Sequence, residues 1–313
     1  MTSKTFFQTM SDNKEICVNR WIPETEIKAV IVISHGMAEH SLRYDKHANI
    51  FVEAGFAVTG HDARGHGKTA QKQKEKGEVG FGYLSDKKGY ERVIEDLNEV
   101  IEETKKEFPG KKIFLFAHSW GSFVGQGYIE KYGSNIDGCF LCGTRGPDPA
   151  APVKGGLFLS NLFYLFGRKK KTSYFLQNLS FNGYLKRIPD SRTANDWLTK
   201  DNSVVDMYMA DDWCGFVMTT EFYHDLFKLL LKIHNPSNIK MIPQSLPLYL
   251  MCGKEDPVGN YGKTVENLYN IYKANGIKDL TLKLYDDDRH ELLNETDGDK
   301  IIKEMIQWME QHL

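Results

Sequence analysis

Short apolar runs alternate with amphipathic segments along most of this chain, and that alternation fixes its class before any motif is considered. "AVIVIS" (29–34), "FAVTGHD" (56–62), "KIFLFA" (112–117), "GCFLCG" (138–143), "LPLYLMC" (246–252) and "LTLKLYD" (280–286) read as strands. Several are apolar throughout, as strands covered on both faces should be. Between them the spacing predicts helices from about Tyr44 to Glu53, within "DKKGYERVIEDLNEVIEETKKEF", after Ser119, over "GKTVENLYNIYKAN", and from about Asp299 onward. Strands that alternate with helices build a mostly parallel sheet with helices on both faces, so the expected class is α/β. Before that pattern begins, "KTFFQTM" and "EICVNRWIP" flank the turn "SDNK" and predict an antiparallel hairpin.

The alternation breaks once. From about Gly146 to Met241 the chain is helical and irregular, bounded by the turn-rich "GPDPAAPVKGG" and "HNPSNIKMIPQSLP". The expected organisation is a first core segment over 1–145, a helical cap insertion over 146–241, and a second core segment over 242–313.

Composition removes several function classes. The net charge of −2 leaves no electrostatic footprint for nucleic acid. No stretch approaches the roughly 18 apolar residues of a membrane span. The opening "MTSKTFFQTMSDNKE" has no apolar core of signal-peptide length. Cysteines at 17, 139, 142, 214 and 252 are odd in number and scattered, which predicts free thiols in a reducing compartment. Cys139 and Cys142 form a C-x-x-C, but in a strand residues three apart point to opposite faces, so they should share neither a metal nor a disulfide. The expectation is a cytoplasmic protein.

The sharpest local signal is Ala117-His118-Ser119-Trp120-Gly121, where a strand gives way at once to a helix. A cramped strand–turn–helix presents a serine hydroxyl only if the residues two before and two after are small. Glycine is usual at both places, and Ala117 departs from that by one methyl group. A serine needs a base and an orienting acid, and this architecture orders them Ser, Asp or Glu, then His, each after a strand. "GKEDPVG" supplies Glu255 and Asp256, and "DDRHELLNE" supplies His290. Asp256, whose loop Pro257 stiffens, is preferred over Glu255. Asp286, Asp287 and Asp288 are expected in a solvated turn. The oxyanion donors should be the N–H of Trp120 and that of Met37 in "SHGMAEHSLRY". Two near-motifs fail: His290-Glu291 ends in Asn294 where a zinc site needs a second histidine, and "GHGKT" has Asp62 where a phosphate loop needs glycine. Serine acyl transfer itself requires no metal and no cofactor.

With these residues in place, the chain resembles the monoglyceride lipase and lysophospholipase-type α/β-hydrolases. The matching segments are "HGMAEHSLRY", "GHDARGHGKT", "FAHSWGS", "CGKEDPVG" and "RHELLNE", in the family's order over residues 35 to 295. The resemblance implies the α/β-hydrolase fold, Ser119, Asp256 and His290 as triad, and Met37 and Trp120 as oxyanion donors. It further implies a small-molecule acyl ester or lipid as substrate. For Glu39 and Arg43 it leaves two readings, contact with the substrate head group or an ion pair that braces the loop. Asp62, Arg64 and His66 read as structural.

The family's cap shapes an acyl tunnel and approaches membranes. Here "GGLFLSNLFYLFGRKKK" (155–171) combines apolar residues with Arg168, Lys169, Lys170 and Lys171. It reads either as an interfacial helix, which gives peripheral membrane contact, or as a packed cap helix followed by a solvated basic loop. Trp120 after the serine also occurs in proline iminopeptidase-like relatives. An aminopeptidase therefore remains an alternative, with Asp211, Asp212 or Glu221 to hold the amine, as does a short-chain carboxylesterase.

Overall fold

A computed structural model describes residues 1–313. Strands β1 (Thr2–Thr9) and β2 (Glu15–Ile22) form the opening hairpin, and β3 (Val30–Ser34) follows. The chain continues through α1 (Asp45–Glu53), β4 (Ala57–His61), α2 (Gly67–Glu75), α3 (Gly89–Glu107), β5 (Ile113–His118), α4 (Trp120–Tyr132) and β6 (Gly138–Cys142). Then come α5 (Ala150–Leu165), α6 (Tyr174–Phe181), α7 (Asn202–Ala210), α8 (Thr220–Ile233) and α9 (Pro236–Ile239). Strand β7 (Leu248–Gly253), α10 (Lys263–Ala274), β8 (Leu280–Tyr285) and α11 (Gly298–Glu310) complete it.

The strands form one sheet in the order β1-β2-β4-β3-β5-β6-β7-β8, antiparallel at the first two joints and parallel from β4 to β8. Side chains leave each strand alternately, so β5 sends Ile113, Leu115 and Ala117 into one apolar core and Phe114 and Phe116 into the other. Cys139 and Cys142 divide between the same two cores, and all five cysteines are free. The strand order reverses beside β3. The connection after β3 runs to β4 on one side and the connection after β5 runs to β6 on the other, leaving a crevice at the carboxyl ends of β3 and β5.

One feature departs from the sequence expectation. Helix α2 was not expected, because "GKTAQKQKE" buries only Gly67, Thr69, Ala70 and Gln73 and shows no apolar stripe. The Asp62 carboxylate occupies its N-terminus, accepting the Lys68 N–H at 2.8 Å, so an anion site there is already filled. Within residues 146–241, helix α8 packs against α5 on one side and against α3 and α4 on the other. No helix is long and apolar enough to cross a membrane.

Candidate active site

Ser119 follows the last residue of β5 and precedes the first of α4, with φ 55° and ψ −125°. An L-residue is strained at positive φ, and neighbouring contacts hold it there. Its N–H donates to Cys142 O on the adjacent strand at 2.9 Å, and its carbonyl accepts from Ser122 N–H at 2.8 Å. A Cβ on Gly121 would stand 2.3 Å from the carbonyl oxygens of both Ser34 and His35, so no other residue fits. The methyl of Ala117 is accommodated one helical turn later: a Cβ on Gly125 would lie 2.8 Å from it. The unusual alanine and the glycine at 125 are therefore one packing solution.

His290 and Asp256 come from loops after β8 and β7. Both are buried, and His290 Nδ1 lies 2.9 Å from Asp256 Oδ2. The other oxygen of Asp256 accepts the Val258 N–H at 2.8 Å, which fixes the carboxylate plane. With its proton on Nδ1, the imidazole presents Nε2 as an acceptor. That atom has no protein partner, and His290 and Ser119 line the same cavity. Glu255, the other candidate acid, turns outward to Arg187. Met37 and Trp120 line the cavity beside Ser119, and neither backbone N–H is engaged within the protein.

Glu39 and Arg43 do not behave as a free head-group site. Arg43 makes a two-point bridge to Glu291, at 2.7 and 2.9 Å, and also pairs with Glu39. Glu39 accepts from Gly36 N–H, from Tyr44 OH at 3.0 Å and from His118 Nδ1 at 3.3 Å. Burial pushes its carboxyl up, but Arg43 and His118 outweigh that and hold it well below the ordinary range. Burial likewise opposes the charged form of His118, and the bond to Glu39 reverses it, raising the imidazole above its usual value. The network braces the loop that carries Met37. Sequence reasoning did not assign His118 or Glu291 to it, although each sits directly beside a motif residue.

Asp62 accepts from Ser41 N–H at 2.9 Å and Ser41 Oγ at 2.6 Å, and Arg64 pairs with Asp96. Asp288 contradicts the solvated turn expected of it. It is 2% exposed and accepts Lys200 Nζ at 2.7 Å, because a cap segment lies over it. His40, Asp211 and Cys214 bring three ligand-type atoms within 4.8 Å of one another. His40 Nε2 already bonds Asp211 at 2.9 Å, and burial holds the Cys214 thiol far above its ordinary range. The trio is a junction between cap and loop.

The cavity over Ser119 has a volume of about 840 Å³, and 21 of its 38 lining residues are hydrophobic. Val153 and Leu159 come from α5, Leu226, Phe227 and Leu230 from α8, and Trp197 from the connection between α6 and α7. Such a space suits an apolar chain that ends at a polar reacting group.

A model of the hydrolase family described as serine aminopeptidase, S33, matches residues 25–297. The chain belongs to this S33 family. Among curated members it is 24% identical to a monoacylglycerol lipase of Mycolicibacterium smegmatis, over 94% of this chain and 92% of that one. It is 23% identical to an abhydrolase domain-containing protein of Dictyostelium discoideum across its whole length, but spans only 30% of that protein. Among solved structures, a highly thermostable carboxyl esterase from Bacillus coagulans, in complex with glycerol, superposes with a TM-score of 0.91. The two are 27% identical, and 99% of each chain is covered. The S33 chain described here is therefore an α/β-hydrolase with a helical cap.

Proposed function

We propose that the protein is a serine carboxyl-ester hydrolase that cleaves monoacylglycerols or lysophospholipids through an acyl-enzyme on Ser119. The observation that carries this reading is the serine at a strained strand–helix turn, in one largely apolar cavity with a histidine already bonded to a buried aspartate. Ser119 Oγ attacks the ester carbonyl while His290 Nε2 takes its proton, and Asp256 holds the ring through Nδ1. The N–H groups of Met37 and Trp120 receive the developing oxyanion. His290 returns the proton to the leaving alcohol, and water then releases the acyl group by the same route. Glu39 and Arg43 act through the loop they brace.

The monoacylglycerol lipase and carboxyl esterase relatives support ester hydrolysis. The family description keeps an aminopeptidase in view, but the groups available to hold an amine disfavour it. Asp211 is paired with His40, and neither Asp212 nor Glu221 lines the cavity. Glu221 accepts Leu84 N–H instead, and burial pushes its carboxyl up to about 9. The carboxylates that do line the cavity are paired, Glu39 and Glu291 with Arg43 and Asp148 with Arg145.

Peripheral membrane contact is the finer part of the reading. Phe158, Leu165, Phe166, Tyr174 and Phe175 are exposed on and beside α5 and α6, next to the basic run. That run is only partly solvated, since Lys169 and Lys170 both reach Asp86.

The test is hydrolysis of a chain-length series of monoacylglycerols, lysophospholipids and p-nitrophenyl esters, with Ser119→Ala as blank. A maximum at long chains, abolished in the variant, is expected. Turnover confined to short activated esters would leave a general esterase. Release of an aminoacyl anilide without ester turnover would replace the reading with a peptidase.

A further inference from the structure

The cap segment between α6 and α7 is bound to the loop that carries His290 on both sides of that residue. Before it, Arg289 Nη1 donates to the carbonyls of Asp196 at 2.6 Å and Thr199 at 3.1 Å, and Lys200 Nζ reaches Asp288. After it, Glu291 N–H donates to Leu198 O at 2.7 Å, and Thr199 Oγ1 donates to Asn294 O at 3.0 Å. Lys200 N–H also donates to Glu295 Oε2 at 3.1 Å. Held this way, Trp197 sets its ring 4.9 Å from the imidazole of His290. Tyr184 in turn packs edge-on against Trp197 at 4.9 Å. The core side gives the imidazole Asp256 and the ring of His118 at 4.8 Å, and it gives the loop Arg43 at Glu291, His47 at the Leu293 carbonyl and the Glu255 N–H at the Asp288 carbonyl. The loop is therefore held from both sides, and the Arg289 side chain bonds only the cap.

We propose that cap segment 196–200 positions His290: Arg289 holds its carbonyls, Trp197 packs on the imidazole, and Nε2 keeps its aim only while this segment is docked. The inference rests on the reading of His290 as general base. Arg289 is a positioning residue, since its guanidinium bonds the cap and not the reacting atoms. A cap that lifted as one body would take Trp197 off His290 and disable the base. Substrate must then enter with 196–200 in place, past α5 and α6, which make no hydrogen bond to the histidine loop.

Arg289→Ala, Arg289→Lys, Thr199→Val and His290→Ala test this with a soluble p-nitrophenyl acyl ester. Thermal unfolding and the low-field proton resonance of the His290 Nδ1–H bond are followed in parallel. Arg289→Ala should lower kcat by about 10²-fold, the order expected when a reacting group is misplaced by about 1 Å. KM should stay within about twofold, the signature of an interaction that matters in the transition state. The resonance should shift or broaden, and Arg289→Lys, which can reach one carbonyl, should recover part of both. A folded Arg289→Ala with normal kcat and an unmoved resonance overturns the proposal. Should Arg289→Ala fail to fold, Thr199→Val decides: full kcat with an unmoved resonance refutes, and a smaller fall in kcat with a moved resonance supports. Near-normal turnover by His290→Ala would instead remove the general-base reading, and this inference with it.

Discussion

The turn at Ser119 and the cap helices α5 and α6 border one cavity, yet they are built in opposite ways. Around the turn, neighbours decide the backbone. Gly121 has carbonyl oxygens where a Cβ would go, Gly36 has the Glu39 carboxylate 2.7 Å from that place, and Ala117 is fully buried. On the cap, Leu165 is 83% exposed and Phe166 72% exposed, so large apolar side chains face mostly solvent. A side chain changed at the turn must move main chain, whereas one changed at an exposed position of α5 such as Leu165 meets mostly solvent. Fixed geometry belongs to the surroundings of Ser119, and exposed apolar side chains belong to the cap.

The largest effect that would break this contrast concerns the acid. Asp256→Asn should cut kcat by about 10⁴-fold, as loss of the orienting carboxylate does in serine triads. Glu255→Gln, one residue away and turned toward Arg187, should change kcat by less than about twofold. A reversal of the two in steady-state ester kinetics would reassign the acid. Next is Gly121→Ala, a single methyl. It should lower kcat by at least about 10²-fold, because the turn must shift to admit it. A variant with wild-type rate and melting temperature would show that the turn yields more easily than its contacts imply.

The contrast also explains what could be read from the sequence. The sheet, the turn, the order of Ser119, Asp256 and His290, and the choice of Asp256 over Glu255 all rest on local patterns: periodicity, small residues at fixed spacing, position after a strand. Helix α2 was missed because it lacks an apolar stripe. The burial of Asp288 and the contact of Trp197 with His290 were missed because each depends on where the cap folds back. No pattern within "DSRTANDWLTK" announces that its backbone will meet "DDRHELLNE". The same holds for Glu39 and Arg43, whose two readings could be weighed only once Glu291 was found bridged to Arg43.

Even the tightly built side contains one unsettled group. Glu130, near the end of α4, is 7% exposed, and neither of its oxygens has a hydrogen-bond partner. Burial raises its carboxyl from an ordinary 4.5 to about 8, with Lys232 opposing only in part. Between those values the unfolded chain has lost a proton that the folded one keeps, so stability falls as pH rises through that window. Glu130→Gln, which cannot ionise, should therefore stabilise the protein at pH 9 relative to the wild type. At pH 4 it should have little effect. Thermal unfolding at the two pH values measures the difference, and equal shifts at both would mean that Glu130 is solvated.

The smallest expected effect is on the exposed side. Phe166→Ser should leave stability within about 0.5 kcal/mol and turnover of a dissolved short ester unchanged, because the residue is mostly exposed. If the ring instead enters a lipid surface, burying it there contributes about 1.5–3 kcal/mol. Partition onto vesicles containing anionic lipid should then fall by about tenfold or more in the same variant. Sedimentation with such vesicles separates the cases. A drop in partition with intact kinetics on the dissolved ester would assign α5 and its basic flank to the membrane. A drop in melting temperature instead would mean that Phe166 is held by contacts within the cap, and the contrast between the two regions would lose its cap half.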